Sequence, residues 1–141
     1  MNGHSWPRVL IVDDDSLLLD ALKRQLRSRF DVTTATGAKE AIELVTTQGP
    51  FAVIVSDLRM PGMDGVTLLY LLRQAAPDTI RIMLTGKADM EAASSAVNEG
   101  NIFRLLLKPC PTIALIRAIE AAVEQHGINK AKECACRTPR E

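Results

Sequence analysis

Val53-Ile54-Val55-Ser56-Asp57-Leu58-Arg59-Met60-Pro61-Gly62-Met63-Asp64-Gly65 is the stretch on which the reading of this chain turns. An apolar, β-branched run ends on a carboxylate, and a loop rich in Pro and Gly follows at once. Such a run reads as a buried strand, because β-branched side chains suit a pleated surface and turn formers close it. Asp57 then stands at the carboxyl edge of a sheet, where open α/β folds place their ligands.

Working outward, the same arrangement recurs. Upstream, residues 8–12 form a first apolar run that stops on Asp13-Asp14-Asp15. Over residues 16–29 the period becomes helical: Leu18, Leu19, Leu22 and Leu26 share one face, with Lys23, Arg24 and Arg27 opposite. Asp15 or Ser16 caps that helix. Residues 30–35 read as a second strand and residues 38–48 as a second helix, stopped by Gly49-Pro50. Downstream, Val66, Leu68, Leu69, Leu71 and Leu72 mark a third helix ended by Pro77. Residues 79–84 form a fourth strand closed by Thr85-Gly86, and residues 88–99 a helix with a small-residue face. Residues 102–107 form a fifth strand stopped by Lys108-Pro109. Pro111 opens a last helix carrying Ile113, Ile116, Ile119 and Val123 on one face. Five strands alternating with five helices predict a parallel sheet covered on both faces. The domain spans residues 8–126, after an extension over 1–7; Gly127 ends the last helix, and the tail 127–141 is expected to be flexible.

Composition narrows the function classes. The 141 residues suffice for one domain with a single sizeable core. Seventeen basic residues balance seventeen acidic ones, so no global field favours nucleic acid or an anionic membrane. No apolar run approaches the roughly 20 residues that span a bilayer, and residues 1–7 lack the pattern of a signal peptide, which predicts a cytoplasmic protein. Cys110, Cys134 and Cys136 form no disulfide framework and read as reduced surface thiols.

What converges at the strand ends carries the chemistry. In a parallel sheet Asp13, Asp14, Asp57, Thr85 and Lys108 arrive on one edge. Carboxylates brought together repel unless a cation joins them, and hard oxygen donors without His or Cys favour Mg²⁺. A lysine and a threonine hydroxyl beside them are donors for a transferring phosphoryl group, with Asp57 as nucleophile. Taken singly, an Asp after a strand is often a helix cap, Thr-Gly a turn, and Lys before Pro a solvated charge. All of them at successive strand ends, in this order, are hard to obtain by accident.

Over residues 8–125 the chain resembles the receiver domains of bacterial two-component response regulators. The motifs are Val12-Asp13-Asp14, the run from Asp57 to Gly65, Leu84-Thr85-Gly86, and Lys108-Pro109. The resemblance implies a flavodoxin-like (βα)5 fold with strand order 2-1-3-4-5 and a cis Lys108-Pro109 bond. It implies that Asp57 accepts a phosphoryl group from a sensor histidine kinase or phosphotransfer protein. Asp14, Asp57 and the Arg59 carbonyl would hold Mg²⁺ directly, and Asp13 through water. Lys108 would contact the phosphoryl oxygens, and Thr85 would move toward one of them. The receiver would assist its own phosphorylation without being a turnover enzyme. Phosphorylation would switch the face made by the 88–99 helix, the fifth strand and the last helix. The resemblance also implies a downstream protein or missing output domain, possible homodimerisation on activation, and no direct contact with nucleic acid or membrane. Arg59 and Lys87 occupy the variable positions tied to phosphoryl lifetime, and neither orients attacking water as a base at neutral pH.

Two departures stand out. Receivers usually carry Tyr or Phe three residues before the lysine, where this chain has Leu105. The stretch from Asn98 to Arg104 resembles receivers joined to HD-GYP phosphodiesterase or AAA-type activator domains, yet Cys110 replaces their Trp. A rival reading, a phosphatase of the haloacid dehalogenase type, needs an acid two residues after Asp57, and Arg59 stands there. No Gly-rich phosphate loop follows the first strand, which argues against a nucleotide-binding module of that kind.

Overall fold

Alternate residues of the central strands are buried on opposite sides, so the sheet is covered twice. The computed structural model describes residues 6–58, 65–86 and 102–137. Along the chain run β1 (Arg8–Val12), α1 (Ser16–Leu26), β2 (Asp31–Ala35), α2 (Ala38–Gln48), β3 (Val53–Asp57), α3 (Gly65–Ala75), β4 (Ile80–Thr85), β5 (Arg104–Leu107) and α4 (Thr112–Arg137). The strands form one parallel sheet in the order β2-β1-β3-β4-β5, the flavodoxin-like order that the resemblance implies. The expected helix over 88–99 and the loop over 59–64 lie outside the described residues.

Two apolar clusters hold the layers together. On one side Val9, Ile11, Val55 and Ile82 pack against Leu19, Leu22 and Leu26 of α1 and Leu115 and Ile119 of α4. On the other, Leu10, Val12, Ile54 and Met83 pack against Leu68, Leu69 and Leu72 of α3 and the small Ala38 and Ala41 of α2. Each fully buried leucine removes enough apolar surface from water to contribute roughly 1.5–3 kcal/mol. The strand alternation therefore fixes both the register and the side on which each helix docks.

The edges of the elements differ from the sequence reading in informative ways. The first helix ends at Leu26, because the Phe30 amide turns back to the Leu26 carbonyl at 3.0 Å and the Phe30 ring is buried. The fifth strand begins at Arg104, two residues later than expected. The predicted fourth strand conceals a buried cation: Arg81 stands on the Met83 side, and its Nη1 donates to the Thr79 carbonyl at 3.0 Å.

The largest correction is at Gly127, where no helix end occurs. α4 runs through it to Arg137. A mid-helix glycine costs only about 1 kcal/mol relative to alanine, and good helix formers stand within a turn of it at Glu124, Gln125, Lys130 and Ala131. Gln125 Nε2 donates to Asn129 Oδ1 at 2.8 Å across that point, and Lys130 reaches Asp78 at 3.7 Å. No helix among the described residues is long and apolar enough to cross a membrane.

Candidate functional site

Register brings the strand ends level. Val12 pairs with Ser56, Asp57 with Leu84, and Thr85 with Leu107, so the residues after β1, at the end of β3 and after β5 share one edge. Asp13 is held there by its backbone, whose amide donates to the Ala35 carbonyl at 3.1 Å. Its side chain is buried, and Oδ1 accepts from the Asp15 amide at 2.9 Å. Asp15 is the N-cap of α1, accepting from the Leu17 and Leu18 amides at 3.1 and 3.2 Å. One short turn thus caps the helix and aims Asp13 into the site.

Lys108 crosses to this edge from β5. Its amide donates to the Thr85 carbonyl at 2.7 Å, and the Lys108-Pro109 bond is cis, as expected. Its Nζ lies 3.1 Å from Asp13 Oδ2 and 3.1 Å from Asp57 Oδ2. Burial opposes the charge on Lys108, but the hydrogen bonds it donates to Asp13 and Asp57 outweigh it and raise its pKa. Asp13, Asp14 and Asp57 offer oxygens that all lie within 4.8 Å of one another. Slight desolvation of this exposed residue, followed by the hydrogen bond and charge of Asp13 and the charge of Asp57, raises the Asp14 carboxyl. Three carboxylates around one lysine leave an excess of negative charge. Their oxygen-only donor set fits a hard divalent cation.

Other sequence-predicted residues fall as follows. Thr85 is fully buried, and its Oγ1 donates weakly to the Gly86 carbonyl at 3.4 Å. Leu105 is half-buried against the cluster containing Leu10 and Met83. Phe103, two residues earlier, packs on the opposite side of the sheet, with Ile82 and Leu115. Arg59 lies outside the described residues. Sequence reasoning missed the Asp15 amide as the group that orients Asp13; a backbone donor leaves no signature in residue type.

Residues 9–120 match the family model described as response regulator receiver domain. The chain belongs to the response regulator receiver family. Among relatives of this receiver, the hydrogenase transcriptional regulatory protein HoxA of Cupriavidus necator is 41% identical over 120 residues. That match takes in 85% of this receiver but only 25% of HoxA, so the receiver spans about a quarter of that relative's length. Among solved structures, a chain described as adenylate cyclase from Rhodopirellula baltica superposes with a TM-score of 0.92 at 40% identity, over 96% of this receiver and 100% of that chain. The signal receiver domain of an HD domain-containing protein from Pseudomonas fluorescens Pf-5 gives 0.81 at 33% identity, over 87% and 98%.

Proposed function

We propose that this receiver accepts a phosphoryl group on Asp57 from the phosphohistidine of a sensor histidine kinase or phosphotransfer protein, with Mg²⁺ as the required cation. The observation that carries this reading is the convergence of three carboxylates within 4.8 Å, with Lys108 Nζ 3.1 Å from Asp57. An oxygen of Asp57 attacks phosphorus, the bond from phosphorus to the imidazole nitrogen breaks, and the imidazole leaves with the electron pair. Negative charge gathers on the phosphoryl oxygens, where Lys108 and the Thr85 hydroxyl act as donors. Asp14, Asp57 and the Arg59 carbonyl would hold the metal directly, and Asp13 would act through a water. Bound Mg²⁺ offsets the carboxylate charge that would otherwise repel the incoming phosphoryl group.

Phosphorylation then shifts an equilibrium of the face made by residues 88–99, β5 and α4. Thr85 and Leu105 carry the change, with a leucine repacking against Met83 in place of a rotating ring. The receiver is a phosphoacceptor that assists its own phosphorylation and dephosphorylation, and it works in the cytoplasm. Its outputs are a downstream protein or an output domain in the same polypeptide, a reading supported by its covering a quarter of HoxA. Homodimerisation on activation belongs to the same reading, and direct contact with nucleic acid or membrane does not. The kinase approaches over the cleft of about 480 Å³ beside the site, lined by Leu18, Leu22, Lys108, Pro109 and Cys110.

Incubation with Mg²⁺ and acetyl phosphate tests the central step. One added phosphoryl group is expected by intact-protein mass, lost in Asp57→Asn and in EDTA. An unmodified wild type, or modification that survives in Asp57→Asn, overturns it.

A further inference from the structure

Asp15 faces two ways in the turn between β1 and α1. Its backbone is extended, at φ −94° and ψ 99°, and its carboxylate accepts from the Leu17 and Leu18 amides. Its carbonyl accepts from the Leu19 amide at 3.1 Å. Those bonds fasten Asp15 to the first turn of α1. Its own amide points back along the chain, to Asp13 Oδ1 at 2.9 Å.

Asp13 is thereby gripped at both oxygens. Oδ1 accepts from the Asp15 amide and Oδ2 from Lys108 Nζ at 3.1 Å, while the side chain is buried. A buried carboxylate keeps its charge only while donors face it. The Asp13 backbone is tied to Ala35, so the remaining freedom is rotation of the side chain, and the Asp15 amide opposes that rotation. An amide that swings away would let Oδ2 leave its place beside Lys108.

Asp15 could matter here in three ways, with different consequences. As a cap alone it steadies α1 and leaves the site untouched. As one more carboxylate it attracts a cation through its charge, which any neutral replacement loses. As the residue that holds the amide in place it acts through its capping bonds, which Asn reproduces and Ala does not. The geometry favours the last. Asp13, Asp14 and Asp57 form the group whose oxygens converge within 4.8 Å, and Asp15 stands outside it with Oδ1 engaged by two helix amides.

We propose that Asp15 is a positioning residue: by capping α1 it locks its own amide onto Asp13 and so keeps Asp13 aimed at Lys108 and at the cation site. What concerns Mg²⁺ rests on the metal reading above, and what concerns Lys108 does not.

Two measurements on the full chain test this. In metal-free buffer, urea denaturation of wild type, Asp15→Ala, Lys108→Met and the double variant completes a thermodynamic cycle. Lys108→Met is expected to change the unfolding constant about threefold less in the Asp15→Ala background than in wild type. In the Asp15→Asn background it should regain its full effect. Calorimetric titration with Mg²⁺ should show binding about tenfold weaker in Asp15→Ala and within about twofold of wild type in Asp15→Asn. An additive cycle overturns the proposal, because Asp15 is then only a helix cap. Equal losses in the Asn and Ala variants overturn it as well, because charge is then what matters. A wild type that binds no Mg²⁺ counts against the metal reading alone, and the cycle with Lys108 still decides the positioning role.

Discussion

Lys108 Nζ and Asp13 Oδ2 meet at 3.1 Å across 95 residues of chain, and the same nitrogen reaches Asp57. The contact closes the two ends of the fold over the site: β1 delivers a buried acid, and β5 delivers the cation that balances it.

Removing that cation leaves Asp13 buried beside Asp57 without its partner. Lys108→Met is expected to lower stability in metal-free buffer by about 1–2 kcal/mol, below the 3–5 of a fully buried pair because Lys108 is partly exposed to solvent. Thermal melts with and without Mg²⁺ check this, and the metal should restore part of the loss. The folded lysine holds its proton more tightly than the ordinary value of 10.5, so its contribution is complete below that pH. The difference from wild type therefore stays level through neutral pH, shrinks as pH climbs from 10.5 through the raised value, and is gone above it.

Asp14 behaves in the opposite sense. Its carboxyl titrates above the ordinary 3.8 because of slight desolvation, Asp13 and Asp57. Between 3.8 and the raised value the folded state holds more proton than the unfolded, so stability falls as pH rises through that window, and the penalty is complete at neutral pH. Asp14→Asn should thus stabilise the metal-free protein slightly, by less than about 1 kcal/mol given its exposure. The same variant should lose the stabilisation by Mg²⁺ that wild type gains through mass action. Melting curves at several Mg²⁺ concentrations would cross, and parallel curves would count against a metal role for Asp14.

Two glycines are expected to respond with opposite signs. A Cβ added at Gly127 meets nothing within 4 Å, so Gly127→Ala should strengthen α4 by about 0.8–1 kcal/mol. Slower amide exchange beyond residue 127 would report it.

At Gly49 a Cβ would sit 2.5 Å from the Val45 carbonyl oxygen, a backbone atom that cannot step aside. Gly49→Ala should cost about 1–3 kcal/mol by overpacking the end of α2. Urea denaturation with an unchanged m-value checks it.

His126 supplies a pH dependence away from the site. Burial, with Lys130 adding to it and Asp78 opposing, holds its imidazole below the ordinary 6.5. The unfolded chain then binds a proton that the folded state refuses, so stability declines as pH falls from 6.5 toward the lowered value. His126→Gln should flatten that decline by a few tenths of a kcal/mol, read from melts across the window.

How far the residues alone carry this protein follows from the range of each interaction. Strand and helix periods are local, so the run ending at Asp57 and the leucine stripe of α1 were legible from the sequence, as was the gathering of Asp13, Asp14, Asp57, Thr85 and Lys108 once a parallel sheet was inferred. Only tertiary structure decided which oxygens Lys108 touches, because those distances depend on the spacing of strands remote in sequence. It also decided that Leu105 and Phe103 occupy opposite faces, since the chain enters β5 at Arg104 and the two side chains no longer share a pleat. Gly127 was misread for a related reason. Local propensity makes it a stop, but about 1 kcal/mol is outweighed when neighbours on both sides favour the helix and Lys130 finds Asp78 on another element.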